Sequence, residues 1–249
     1  MIVKLVILKC LTNLHVGNGD INYNIVDNEV EKDSVTNYPT IHSSGVKGAL
    51  RSFLNHSLND DKKGYVKQWF GSEEVTQNGK LKVLSAQMMA IPLRASIGDA
   101  AYYLTTTKTM MESYRNLQNA LVFEDVLQDE TINQTNEIQA EGFIKMSSTV
   151  KFCEEELWIA EDEDMRNVEL PIIARNHLDD GGRSKNLWYE EVVPHESIFF
   201  FPVLVEDSDE GLMDEFVKAV SDRVIQFGGK ASIGYGLCKV TVAGGRNDE

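Results

Sequence analysis

The segment Ile41-His42-Ser43-Ser44-Gly45-Val46-Lys47-Gly48-Ala49-Leu50-Arg51 gathers the residue types that hold a phosphate. Ser43 and Ser44 are good helix N-caps, because a hydroxyl accepts from the free N–H groups of a first turn. Gly45 lets another backbone come close. Val46, Leu50, Phe53, Leu54 and Leu58 then recur at helical spacing, so a helix running to about Leu58 sends one face to a core. Lys47 and Arg51 are four apart and neighbour each other on its flank. Open N–H groups, the positive end of the helix dipole and two cations make an anion site. A plain capped amphipathic helix with solvated cations reads the same way, so the neighbouring segments carry the decision.

Three of them matter. His15-Val16-Gly17-Asn18-Gly19 is a glycine-relieved turn after the first strand, close in sequence to a loop holding Asp27. Gly228-Gly229-Lys230-Ala231-Ser232-Ile233-Gly234-Tyr235-Gly236 offers backbone N–H groups and the charge of Lys230, as phosphate-cradling loops do. It lacks the closing Lys-Ser/Thr of a P-loop, and tight loop packing would use the same glycines. In Leu187-Trp188-Tyr189-Glu190-Glu191-Val192-Val193-Pro194 the aromatics either stack on bases or staple a hairpin to the core.

The elements that must position these residues follow from periodicity. Ile2 to Leu14 is apolar at nearly every position, as in the middle of a covered sheet. Lys82 to Leu93 forms a second strand ended by Pro92 and Arg94, and Tyr102 to Thr105 a short third. Met110, Tyr114, Leu117 and Leu121 mark a helix behind a Thr106/Thr107 cap. Phe143 to Phe152, Leu157 to Ala160 and Pro171 to Arg175 are short strands among acidic loops. Asp179-Asp180-Gly181-Gly182 turns a projecting hairpin. Ile198 to Val205 is a strand, Leu212 to Phe227 a helix closed by Gly228-Gly229, and Leu237 to Val242 the last strand, before a polar tail over 244–249. This order spells an α+β, ferredoxin-like (RRM-like) βαββαβ core in a single domain over 1–249. Residues 94–197 form an insertion that includes a hairpin at about 172–190.

Composition narrows the classes. The 249 residues are 42% hydrophobic and 25% charged, which suits a globular protein. No apolar run spans a bilayer and no signal-peptide pattern follows Met1, so a cytoplasmic place without membrane attachment is expected. Cys10, Cys153 and Cys238 are too few and scattered for a disulfide framework or a zinc site. A net charge of −15 weighs against nucleic-acid binding, although Lys47 to Lys67 is locally basic, with Lys62, Lys63 and Lys67 following Arg51.

The ordered set of His-Val-Gly-x-Gly, the Asp27 loop, Tyr38-Pro39-x-Ile41-x-Ser43-Ser44-Gly45-Val46-Lys47-Gly48-Ala49-Leu50-Arg51 and a glycine-rich loop before the last strand resembles the RAMP superfamily of CRISPR proteins. Within it, Asp180-Gly181-Gly182-Arg183-Ser184-Lys185-Asn186 running into Leu187-Trp188-Tyr189-Glu190-Glu191-Val192-Val193-Pro194 is similar to the fourth-subunit family of the Cmr (type III-B) effector. The likeness covers nearly the whole chain. His42 departs from it, standing where many relatives have Gly or Glu, as does the low net charge.

The resemblance implies an RNA-guided endoribonuclease subunit that polymerises with further copies of itself along a guide RNA, beside other Cmr effector subunits, and cuts paired target RNA at regular intervals. It implies that Ser43, Ser44, Gly45, Lys47, Arg51, Gly228, Gly229 and Lys230 hold guide phosphates. Arg175 and Trp188 would belong to a thumb that wedges into the heteroduplex. Asp27 matches the family's catalytic aspartate, with a divalent metal ion (Mg2+ or Mn2+) at Asp27 supporting cleavage. His15 would be a nearby acid or phosphate donor, or a structural residue. Glu190 and Glu191 would assist metal binding or form surface salt bridges. A guide-binding scaffold that never cleaves, the equivalent type III-A (Csm) subunit, and an α+β domain for a small anionic ligand are the alternatives.

Overall fold

β1 (Ile2–Cys10) sits at the centre of the molecule because it has apolar side chains to spend on both faces: Val6, Leu8 and Cys10 enter one core, Leu5 and Ile7 another. The computed structural model describes residues 1–17, 26–72, 77–128, 131–179 and 181–243. Asn18, Gly19, Asp180 and the 244–249 tail therefore lie outside the described residues. After β1 come β2 (Thr40–Ile41), α1 (Ser43–Ser57), α2 (Lys63–Phe70) and the short strands β3 (Gly71–Ser72), β4 (Gln77–Asn78) and β5 (Lys82–Val83). Then follow β6 (Ala86–Ile97), β7 (Tyr102–Thr107) and α3 (Lys108–Leu121). The next stretch holds β8 (Ile132–Ala140), β9 (Ile144–Phe152), β10 (Glu155–Ala160), α4 (Asp162–Met165), β11 (Ile172–Leu178) and β12 (Ser184–Glu191). The chain closes with β13 (Ile198–Val205), α5 (Glu210–Val220), β14 (Val224–Gln226) and β15 (Leu237–Val242).

The large sheet runs β14-β15-β1-β13-β6-β7-β10-β9-β8. Neighbours are antiparallel except β7 and β10. β8 also pairs with the far end of β6, through Ala95↔Ala140 and Ile97↔Gln139, so β6, β7, β10, β9 and β8 close into a ring. Val46, Leu50 and Leu54 of α1 pack with Phe216 of α5 and Phe199 and Phe201 of β13. Tyr114 of α3 meets Phe152 and Phe200 on the opposite face. With Phe199, Phe200 and Phe201 all fully buried, no aromatic of β13 is left to stack on a base across an open sheet. Among the described residues no helix is long and apolar enough to cross a membrane.

Several local expectations change. The second strand passes through Pro92 to Ile97, because the ladder to β13 ends at Ala90 and the missing N–H of proline costs no bond there. The helix read as Leu212 to Phe227 stops at Val220. Asp222 adopts φ +57°, which no helix continues, and Val224–Gln226 instead pairs with β15. Gly228-Gly229 is thus not a helix C-cap. The first strand ends at Cys10 rather than Leu14, which makes only an isolated bridge to Val193. Thr107 does cap α3, its hydroxyl accepting from Met110 N–H at 3.3 Å.

Candidate nucleic-acid interface

α1 begins differently from the serine-capped helix its sequence suggests. Its N-cap is His42, whose ring makes no cap bond, and Ser43 is already helical. The Ser43 N–H is satisfied from a distance by Ser85 Oγ at 3.0 Å. Ser44 and Gly45 follow on an exposed first turn, and among the described residues nothing accepts their N–H groups. Lys47 and Arg51 are half-buried on the flank, and neither forms an ion pair among the described residues. Lys62 and Lys63 are different: they pair with Glu215 and Asp60, so the basic stretch narrows to the start of α1. His42 Nε2 lies 2.8 Å from Glu31 Oε1, and Thr40 N–H donates to Glu31 O, which ties this helix start to the loop carrying Asp27.

That loop is built onto the end of β12. Asp27 and Asn28 both donate N–H to Tyr189 O, while Glu191 N–H donates to Asn28 O at 2.9 Å. The Asp27 side chain is exposed. Its Oδ2 accepts from Tyr189 N–H at 2.8 Å, and Oδ1 has no partner among the described residues. Glu191, read from sequence as a metal or surface carboxylate, is buried; it accepts from Val30 N–H at 3.0 Å and from Lys32 Nζ at 2.9 Å. His15 is buried too, with Nδ1 2.8 Å from Glu191 O. A carbonyl only accepts, so Nδ1 carries the proton and Nε2 of the neutral ring is the bare acceptor.

The glycine loop packs inward more than its sequence suggests. Gly228 (φ +70°) lies against His15, where a Cβ would sit 2.4 Å from the carbonyl oxygen, and Gly229 N–H donates to that oxygen at 2.9 Å. These two glycines therefore hold the turn after β1 and are not an open phosphate cradle. Nor is Lys230 a free cation: it forms an ion pair with Glu190, which also accepts from the Trp188 indole N–H. Glu190 is buried, so neither carboxylate of the Glu190-Glu191 pair is a surface bridge. Arg175, opposite Trp188 in the β11–β12 hairpin, places its guanidinium 5.8 Å above the Tyr235 ring. The sequence reading passed over Ser85, and it left Tyr189 and Tyr235, each inside a motif already singled out, without the partners the fold gives them: Asp27 for Tyr189 and Arg175 for Tyr235.

Burial pushes the His15 imidazole below its usual value and Lys230 lowers it further, against the hydrogen bond it donates to Glu191 O, so the ring is neutral at pH 7 and is not a phosphate-binding cation. Burial pushes Glu190 up, yet the bonds from Lys230 and Trp188 outweigh it and hold the carboxyl below the usual range. For His15 the folded value lies below that of the unfolded chain, so protonation favours unfolding. Its share of stability is complete above about pH 6.5 and is lost as pH falls below that. Melting temperature measured from pH 8 to 5 should therefore fall more steeply below pH 6.5 for the wild-type chain than for His15→Gln. Parallel curves would remove this assignment. Glu190 acts in a separate window, below about pH 4.5.

Among the described residues no group of three or more His, Cys, Asp and Glu side chains converges as metal ligands. Glu190 and Glu191 are taken by Lys230 and Lys32, and Asp27 shares one oxygen with Tyr189. These residues do not fit a resident divalent ion.

A family model described as the RAMP superfamily matches residues 7–239. The chain is 27% identical over 284 aligned positions to the CRISPR system Cmr endoribonuclease Cmr4 of Pyrococcus furiosus, covering 96% of this chain and 95% of that one. It is 24% identical to the CRISPR system CMR subunit Cmr4 of Saccharolobus solfataricus, covering 96% of each. In fold it is similar to a chain of the type III-B Cmr-beta complex bound to cognate target RNA, with a TM-score of 0.78 at 22% identity over 97% of both chains. It is also similar to oligomeric Cmr4 from Pyrococcus furiosus, with a TM-score of 0.67 at 22% identity over 96% of this chain and 97% of that one. The superfamily match runs from β1 into β15 and takes in the Asp27 loop, the start of α1 and the glycine loop: the chain belongs to the RAMP superfamily.

Proposed function

We propose that this chain is a backbone subunit of a Cmr (type III-B) CRISPR effector, binding guide RNA and cleaving the paired target RNA at regular intervals. One observation carries the reading: the open start of α1 and the exposed Asp27 carboxylate are fastened to each other, through Glu31, and to the end of β12. The matched relatives, which span the same length, support it. In this reading Ser43, Ser44, Gly45, Lys47 and Arg51 take guide phosphates at the helix N-terminus. Gly228, Gly229 and Lys230 contribute indirectly, by holding the turn after β1 and Glu190 of β12. Base pairing supplies sequence recognition, which lets an acidic chain do the work with few cations.

The neighbour order β15-β1-β13-β6, with α1 and α5 on one side, supports a ferredoxin-like βαββαβ core, and residues 94–197 form its insertion. The β11–β12 hairpin acts as a thumb, with Arg175 and Trp188 paired halfway along it. Where the thumb parts the heteroduplex, an unpaired target nucleotide is free to rotate until its ribose 2′-OH faces its own phosphate. Asp27 Oδ1 draws the proton from that hydroxyl, the 2′ oxygen attacks phosphorus to give a 2′,3′-cyclic phosphate, and the 5′ oxygen leaves with the bonding pair and takes a proton from water. Tyr189 N–H holds Oδ2 and so fixes which oxygen faces the RNA. His15, neutral and bonded to Glu191, braces the loop. A divalent ion at Asp27 would need RNA phosphate oxygens to complete its ligand set. Further copies of the chain and other Cmr subunits complete the assembly, in the cytoplasm.

The test is recovery of bound RNA. Purified from cells that carry a CRISPR array, the chain and its partners should yield repeat-derived guides. Affinity for a guide-length RNA should fall steeply between about 50 and 200 mM salt. A salt-insensitive preparation free of such RNA would favour the small-anion reading.

A further inference from the structure

We propose that Glu191 is the positioning residue for the Asp27 loop, coupling thumb, loop and His15 into one unit; this rests on the reading of Asp27 given above. The residue is 9% exposed, yet all four of its polar groups are used, three on the Asp27 loop and one on His15. Oε2 accepts from Val30 N–H at 3.0 Å and Oε1 from Lys32 Nζ at 2.9 Å. Its N–H donates to Asn28 O at 2.9 Å, and its carbonyl accepts from His15 Nδ1 at 2.8 Å. The Asp27 loop is thereby held at Asn28, Val30 and Lys32, on the chain just beyond the carboxylate. Tyr189, two residues earlier on β12, holds Asp27 itself.

Stability alone is a poor reason for such a carboxylate. An ion pair to a lysine that is itself 31% exposed contributes little, and an apolar residue would fill the space. No apolar residue would hold Val30 N–H, however, and a loop released there leaves Asp27 free to drift from the phosphate. Displacement by about 1 Å at a reacting group costs on the order of 10²-fold in rate. Glu190, on the opposite face of β12, fastens Lys230 and the glycine loop. The side chains of successive residues of one strand thus serve the two loops separately, Glu190 the glycine loop and Glu191 the Asp27 loop.

The test uses the guide-loaded complex carrying Glu191→Ala, Glu191→Gln or Lys32→Met, with Asp27→Asn in parallel. Amide exchange over residues 26–32 is followed by mass spectrometry, alongside target affinity and single-turnover cleavage. Glu191→Ala should raise exchange in 26–32 at least about tenfold and slow cleavage about 10- to 100-fold, with target affinity within about threefold of wild type. Glu191→Gln, which keeps an acceptor for Val30, and Lys32→Met should each slow cleavage only a fewfold. Unchanged exchange in Glu191→Ala, or faster exchange with wild-type cleavage, overturns the proposal. Should Glu191→Ala fail to assemble, wild-type exchange and cleavage in both milder variants overturn it equally. Full cleavage by Asp27→Asn would instead defeat the reading of Asp27, leaving the exchange data to judge whether Glu191 holds the loop.

Discussion

A guide-loaded complex carrying Asp27→Asn should assemble, retain its guide, bind target RNA as wild type does, and cut it about 10²- to 10⁴-fold more slowly, the range expected when a positioned acid–base group is lost. Asparagine is the informative substitution because it keeps the shape of the loop. Its amide oxygen still accepts from Tyr189 N–H, as Asp27 Oδ2 does at 2.8 Å. The backbone bonds from residues 27 and 28 to Tyr189 O are untouched. What disappears is the charge and basicity of the oxygen facing the RNA. Asp27→Ala should cut no faster and should loosen the loop as well, since the Tyr189 N–H loses its partner. Single-turnover cleavage of a labelled target, with guide content measured in the same preparation, checks both variants. Wild-type cutting by Asp27→Asn would remove Asp27 from the chemistry and favour a scaffold that binds without cleaving.

The second large effect concerns stability. Gly236→Ala should destabilise the chain by about 3 kcal/mol, a drop of roughly 6–12 °C in melting temperature for a domain of this size. Gly236 has φ +76°, a conformation costly to any residue with a Cβ, and that Cβ would sit 1.9 Å from Phe227 O. The overlap falls where the glycine loop closes: Phe227 N–H donates to Gly236 O, and Gly236 N–H donates to Asn13 O. Opening that closure exposes Phe227 and frees the 13–15 turn beneath His15. Gly48→Ala is the control. Gly48 lies inside α1 with nothing within 4 Å of its Cβ position, so alanine there should be neutral or stabilising by up to about 1 kcal/mol. Equal melting temperatures for Gly236→Ala and wild type would contradict the loop geometry.

Much of the framework was legible because local pattern and tertiary role agree. β1 is apolar at every position but Lys4 and Lys9, α1 carries its core stripe, and the turn at Asp179, Gly181 and Gly182 closes the hairpin, with Asp179 Oδ1 accepting from Gly181 and Arg183 N–H. β8 was not legible. Ile-Asn-Gln-Thr-Asn-Glu-Ile-Gln-Ala has little strand pattern of its own and is held by pairing with β9 and β6. The break at Asp222 was hidden because Leu212, Phe216, Val220, Val224 and Phe227 keep helical spacing across a strand that buries Ile225 instead. The residue types of the site were visible, but their partnerships were not. Tyr189 is 162 positions from the carboxylate it holds, and Ser85 completes a helix 42 positions away. A single sequence carries no local signal for such contacts. The same gap made Lys230 read as a phosphate-holding cation when its partner Glu190 was already beside it in the fold.

The ring closed by β8 against β6 bears on how such a chain associates with others. A sheet ordinarily ends in two rows of unpaired amides and carbonyls that invite indefinite strand-to-strand growth, the route to fibres. Here one end is consumed by closure and the other is a strand of just three residues, Val224–Gln226. The large sheet therefore offers a neighbouring copy little template for amyloid-like extension.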